Sequence, residues 1–276
     1  MSVTIGVFDS GFGGLTVLRA LLPQLPGVDF IYLGDSARLP YGSKSQSTIA
    51  RYAVSSAKFL EQQGAEFLVI ACNTASALAL DEIRDASRVP VLGVIETGAA
   101  AANAASVTRD VLVLGTTATV ESHAYANACA VHNLRVIEKA CPLFVPLVEE
   151  GWVPHPVTAE VARIYLTEAL DQARAAHLDP ALNPDTLLLG CTHYPLLRSV
   201  LERVLPVPMQ IIDSAGVTAA AVARHFSAEL RELPPESPSI TRCAFFATDS
   251  IAKFQALGSQ FLGQPIDLVT HIDLEE

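Results

Sequence analysis

The sequence predicts an α/β protein of two pseudo-symmetric domains, each a mainly parallel sheet flanked by helices. Three observations point there. Short apolar runs alternate with longer amphipathic stretches, the pattern of strand and helix in turn. The apolar runs barely alternate in polarity, as strands buried on both faces do. One stretch also has a near copy. Phe67-Leu-Val-Ile-Ala-Cys72-Asn-Thr-Ala-Ser76 is echoed by Thr186-Leu-Leu-Leu-Gly-Cys191-Thr-His-Tyr-Pro195, and Val89-Pro-Val follows the first at nearly the distance at which Val207-Pro-Met follows the second.

The expected strands are 4–8, 30–33, 67–71, 91–94, 111–114, 186–189, 210–212 and 243–247, all rich in Val, Ile, Leu and Phe. Between them, 47–63 carries Ile49, Ala53, Ala57 and Leu60 at helical spacing, and 159–173 and 195–204 behave alike. The alanine-rich run 99–106 reads as a helix joining two halves. The expected domains are 1–97 with 210–276, carrying Cys72, and 98–209, carrying Cys191; the return to the first domain is placed just after Val207-Pro-Met. The proline-rich stretch 233–239 reads as a surface connection, because a strand and a helix follow it.

Composition removes several function classes. Lys and Arg number 18 against 29 Asp and Glu, a net charge of −11, so there is no basic footprint for nucleic acid or anionic lipid. No apolar run spans a bilayer. The N-terminus enters a strand pattern at once with no secretory signal visible, and a cytoplasmic location is expected. Five cysteines, an odd count with no Cys-x-x-Cys pair, favour free thiols over disulfides or structural zinc, and no metal is expected.

In parallel sheets ligands bind beyond the carboxyl ends of the strands. The polar residues following the apolar runs are therefore the candidates: Asp9-Ser10, Gly34-Asp35, Cys72-Asn73-Thr74, Glu96, Gly115-Thr116-Thr117, Cys191-Thr192-His193 and Asp213-Ser214. Cys72 and Cys191 each sit at an expected strand-to-helix turn, where free N–H groups and the helix dipole lower a thiol's pKa. A buried structural cysteine is the ordinary reading of such a residue; the duplication argues against it here. Cys129, Cys141 and Cys243 lack these surroundings. Asp9-Ser-Gly-Phe-Gly-Gly14 is neither a dinucleotide fingerprint nor a Walker loop, and Asp9 is also read as a helix cap. His193 lies in reach of the second thiol's proton balance, with a plain structural histidine as the alternative. The hydroxyls Ser10, Thr74, Thr116, Thr119 and Thr192, with Asn73, suit a small carboxylate ligand held by helix N-termini and hydroxyls. Pyridoxal phosphate is disfavoured: among the lysines at 44, 58, 139 and 253 only Lys44 lies in a loop near these motifs, and no phosphate cup accompanies it.

Taken together, six blocks resemble the glutamate racemases, of the cofactor-independent racemase group. They are Phe8-Asp-Ser-Gly-Phe-Gly-Gly-Leu15, Tyr32-Leu-Gly-Asp-Ser-Ala-Arg-Leu-Pro-Tyr-Gly42, Ala71-Cys-Asn-Thr-Ala-Ser76, Leu114-Gly-Thr-Thr-Ala-Thr119, Cys141-Pro-Leu-Phe-Val-Pro-Leu-Val-Glu-Glu-Gly151 and Leu189-Gly-Cys-Thr-His-Tyr-Pro-Leu-Leu197. The resemblance runs to about residue 215. It implies interconversion of L- and D-glutamate without a cofactor, in a cleft between the domains, supplying D-glutamate for peptidoglycan. It implies that Cys72 deprotonates the D-isomer and Cys191 the L-isomer, with Asp9 and His193 assisting the first and second thiol. Glu149 matches an acidic residue behind the histidine. Asp9, Ser10, Tyr41, Gly42, Asn73, Thr74, Thr116, Thr119, Thr192 and His193 match substrate contacts. Aspartate and hydantoin racemases are the sister readings; their second motif commonly continues Cys-Thr-Glu, where this chain has Cys191-Thr192-His193. A one-thiol hydrolase and a non-catalytic small-carboxylate binder complete the alternatives. The oligomeric state is left open, a homodimer included.

Overall fold

The computed structural model describes residues 3–175, 184–228 and 240–274. The proline-rich stretch 233–239 lies outside them. The chain divides into two units, residues 1–94 with 215–276, and residues 95–214.

The first unit holds six parallel strands: β1 (Thr4–Asp9), β2 (Asp29–Gly34), β3 (Phe67–Ile70), β4 (Val91–Gly93), β9 (Cys243–Ala247) and β10 (Thr270–His271), in the order β10-β9-β2-β1-β3-β4. The second holds β5 (Asp110–Gly115), β6 (Arg135–Ala140), β7 (Thr186–Gly190) and β8 (Gln210–Asp213), also parallel, in the order β6-β5-β7-β8. The order 2-1-3-4 of the first four strands is thus repeated by the next four, so the duplicated cysteine segment belongs to a duplicated topology. β3 and β7 are the corresponding strands, and both are buried along their whole length.

The helices are α1 (Leu15–Leu21), α2 (Gln46–Gln62), α3 (Asn73–Leu78), α4 (Leu80–Ala86), α5 (Val94–Ala105), α6 (Thr117–Glu121), α7 (Ala124–Ala130), α8 (Phe144–Glu149), α9 (Pro156–Ala175), α10 (Arg198–Val204), α11 (Ser214–His225) and α12 (Ile251–Leu262). Helix α2 shows how the pattern acts. Ser45 caps it by accepting from the Thr48 amide, and Ile49, Ala53, Ala57 and Leu60 form its buried stripe. That stripe joins Phe8, Leu33, Leu68 and Ile70 of β1, β2 and β3 in one apolar cluster. At about 1.5–3 kcal/mol for each fully buried Ile or Leu, burial of this face decides where the helix sits, since propensity alone is worth a few tenths per residue.

Three differences from the sequence reading have physical causes. β6 was not expected: Arg135-Val-Ile-Glu-Lys-Ala140 is an edge strand, none of its residues is buried, and its charges break the apolar run. The two-residue β10 is too short to leave a pattern. Residues 210–213 were expected in the first domain, but they form β8, paired in register with β7, so the chain leaves the second sheet only at Ser214.

Candidate active site

In each unit the predicted residues gather at the carboxyl ends of the central strands. In the first unit β1 ends at Asp9, followed by Ser10, and β3 leads through Ala71 to Cys72. Gly11 donates its amide to Asp9 Oδ2 at 2.9 Å. The carboxyl group fits there because residue 14 is glycine: a Cβ on Gly14 would lie 2.5 Å from Asp9 Cβ. Cys72 Sγ lies 3.4 Å from Ser10 Oγ and accepts from the Ala75 amide at 3.4 Å, so the sulfur itself caps α3. Asn73 and Thr74 are buried in the first turn of that helix. Tyr41 and Gly42 lie in a short turn after β2. Tyr41 is buried, and its hydroxyl donates to Asp35 Oδ2 at 2.5 Å.

The environment of Cys72 corrects one expectation. Its thiol is pushed up to about 12, not down, first by burial and then by the negative charge of Asp9; the Ser10 hydroxyl and the Ala75 and Ser10 amides oppose this and lose. A helix terminus contributes about 0.3–1 kcal/mol, less than a tenfold change in acidity. Complete burial beside a carboxylate outweighs it. This setting favours the protonated thiol at Cys72.

In the second unit Cys191 directly follows β7. No α-helix starts there, because Tyr194–Leu197 forms a tight 3-10 turn before α10. The expected dipole effect is replaced by a side-chain partner. His193 Nδ1 lies 4.0 Å from Cys191 Sγ and 3.4 Å from Thr192 Oγ1, and His193 Nε2 lies 3.0 Å from Glu149 Oε1 at the end of α8. Burial alone lowers the His193 pKa, but hydrogen bonds and charge from Cys191 and Glu149 overcome it and raise the pKa to about 10. His193 thus stands between two groups that favour its protonated form, Glu149 behind it and the Cys191 sulfur in front. Tyr194 fixes this segment by donating to the carbonyls of Gly115 and Cys141, at 3.0 and 2.9 Å. Thr116 caps α6, accepting from the Thr119 amide, and the Thr116 and Thr119 hydroxyls are 2.9 Å apart.

The structure therefore places Asp9, Ser10, Tyr41, Gly42, Asn73 and Thr74 around the end of the first sheet with Cys72. It places Thr116, Thr119, Thr192, His193 and Glu149 around the end of the second with Cys191. Sequence reasoning from strand ends gave no part to Tyr194, whose hydroxyl bonds reach back 79 and 53 positions. Among the described residues no group of three or more His, Cys, Asp or Glu is placed to hold a metal ion, and no helix is long and apolar enough to cross a membrane.

Comparison with known proteins gives the family. The family described as Asp/Glu/hydantoin racemase matches residues 5–222. The chain belongs to that family. Within it, the chain is 50% identical to the glutamate racemase of Koribacter versatilis over 289 aligned positions, 98% of this chain and 97% of that one. The solved glutamate racemase of Thermus thermophilus in complex with β-chloro-D-alanine is 43% identical, with a TM-score of 0.83 over 99% of this chain and 98% of that one. The glutamate racemase of Francisella tularensis in complex with D-glutamate is 35% identical, with a TM-score of 0.85 over the same shares. These relatives make the chain an amino-acid racemase, an isomerase, built on the racemase family's two-domain α/β fold.

Proposed function

We propose that this protein interconverts L- and D-glutamate by moving a proton on and off Cα between two thiols, without a cofactor. One observation carries the reading. Two topologically equivalent strand ends each present a cysteine with its own titratable partner: Asp9 beside Cys72, and the His193–Glu149 pair beside Cys191. An amino-acid Cα–H is a very weak acid, and inversion needs a base on one face and an acid on the other. Two groups avoid asking one to reach both faces.

Cys72, held as the thiol, is the proton donor for L-glutamate. Cys191, facing the His193 imidazolium, is the thiolate that takes the L-isomer's proton. After one turnover the two have exchanged roles, and Cys72 is the thiolate that takes the Cα proton of D-glutamate. Asp9 and His193 are the groups that return proton balance to each sulfur. Ser10, Asn73, Thr74, Thr116, Thr119, Thr192 and the Tyr41–Gly42 turn supply hydroxyl and backbone donors for the substrate carboxylates, where negative charge grows in the transition state. Glutamate is favoured by the relatives named above and by His193 at the position where the sister families commonly have Glu. Such an enzyme supplies D-glutamate for peptidoglycan from within the cytoplasm.

The test is direct. Purified protein is given L- or D-glutamate with no added cofactor, and circular dichroism is followed. The expected result is decay of the signal to zero from either side. Turnover of aspartate with glutamate untouched would replace this substrate with that of the sister racemases.

A further inference from the structure

The turn carrying Tyr41 and Gly42 is held from the far end of the chain. Thr248, just past β9, is buried. Its hydroxyl accepts from the Ala37 amide at 2.9 Å and donates to Asp35 Oδ1 at 3.0 Å, across 211 and 213 positions of sequence. The other oxygen of the same carboxylate accepts from Tyr41. Next to this, Ser36 and Asp249 bond reciprocally: the Ser36 hydroxyl donates to the Asp249 carbonyl at 2.8 Å, and the Asp249 amide donates back to Ser36 Oγ at 3.0 Å. Arg38 reaches the Leu274 carbonyl at 3.0 Å, and its guanidinium lies 4.4 Å from the centre of the Tyr52 ring. Residues 35–41 are thereby tied to both β9 and the C-terminal tail.

From this geometry we infer that Thr248 is a positioning residue for the substrate: through Asp35 and the Ala37 amide it sets where Tyr41 and Gly42 stand. The inference rests on the racemase reading, which makes those two residues substrate contacts. Burying a carboxyl group is costly unless its oxygens are met by fixed partners, and here the Arg38 guanidinium, 3.7 Å from Asp35 Oδ2, stands beside the two hydroxyls. Asp35 is wholly buried, and each of its oxygens accepts from a hydroxyl on a different segment. That arrangement fixes direction as well as distance.

Thr248→Val keeps the shape and removes the hydroxyl, while Thr248→Ser restores it. In the full-length protein the valine variant is expected to raise KM for glutamate by about tenfold with kcat within about threefold of the parent, and the serine variant to return KM to near the parent value. Hydrogen exchange read by mass spectrometry on substrate-free protein adds a second arm. Amides 36–43 should exchange faster in the valine variant only, with peptides from α2 and β3 unchanged. An unchanged KM, equal damage in both variants, or faster exchange spread over the whole unit would each overturn the inference. A parent protein that racemised another amino acid would unseat the substrate assignment alone; the exchange arm, and the KM ratio measured with that amino acid, would still decide the role of Thr248.

Discussion

Replacing either Cys72 or Cys191 by alanine lowers racemisation of glutamate by about 10³-fold or more, since each variant loses one of the two proton carriers. The loss appears equally in kcat/KM from both directions. L- and D-glutamate have the same free energy in water, so the ratio of the two kcat/KM values is fixed at one whichever residue is changed. Glutamate affinity, measured by calorimetry on the inactive variants, changes little, because the donors around the substrate remain. The fold is also expected to survive: each thiol sits at the end of a buried strand, and loss of one sulfur leaves the β3 and β7 ladders intact. A single cysteine variant that kept the parent rate would remove that thiol from the mechanism.

His193→Asn comes second in size, with an expected loss of about 10²–10³-fold in kcat/KM. Here the direction of turnover does matter, but only in kcat, which should fall more with L-glutamate, the isomer assigned to Cys191. The pH dependence gives an independent check. The folded-state pKa of His193 is raised to about 10, above the ordinary ~6.5. A raised pKa means that its protonation stabilises the fold fully below about pH 6.5, and that this contribution is lost as pH rises through about 10. The parent should therefore lose thermal stability between pH 7 and 10 by an amount absent from His193→Asn. Glu149→Gln, which removes the charge 3.0 Å from Nε2, should shift the alkaline limb of the rate profile to lower pH. Identical alkaline limbs in Glu149→Gln and the parent would argue that His193 does not carry the charge assigned to it.

What could be read from the sequence follows the range of the forces involved. Buried parallel strands announce themselves locally, and the eight expected strands correspond to β1–β5 and β7–β9. The edge strand β6 did not, because a half-exposed strand tolerates Arg135, Glu138 and Lys139. The helical stripe of α2 was legible to the residue, whereas α6, α7 and α8 span only five to seven residues and leave no periodic stripe. The same holds in the candidate site. Asp9, Cys72 and Cys191 stand out as polar residues after apolar runs. The partnership of His193 with Glu149, 44 positions away, came only through resemblance, and that of Thr248 with Asp35 not at all. The direction of the Cys72 shift was misjudged for a related reason. A helix N-terminus can be read from neighbouring residues, but burial and the approach of Asp9 are set by the packing of β1 against β3.

The central claim, that two different groups serve the two faces of Cα, is tested most directly by isotope. The protein is incubated with L-glutamate in D2O, and the reaction is stopped well before equilibrium. Mass spectrometry after separation of the enantiomers then reads deuterium at Cα in each. The account predicts D-glutamate fully deuterated from the first measurable product, with the remaining L-glutamate still carrying protium, because the proton taken by Cys191 does not return to the face served by Cys72. Product that retained the substrate's own proton, or deuterium entering the L pool as fast as D-glutamate formed, would contradict it.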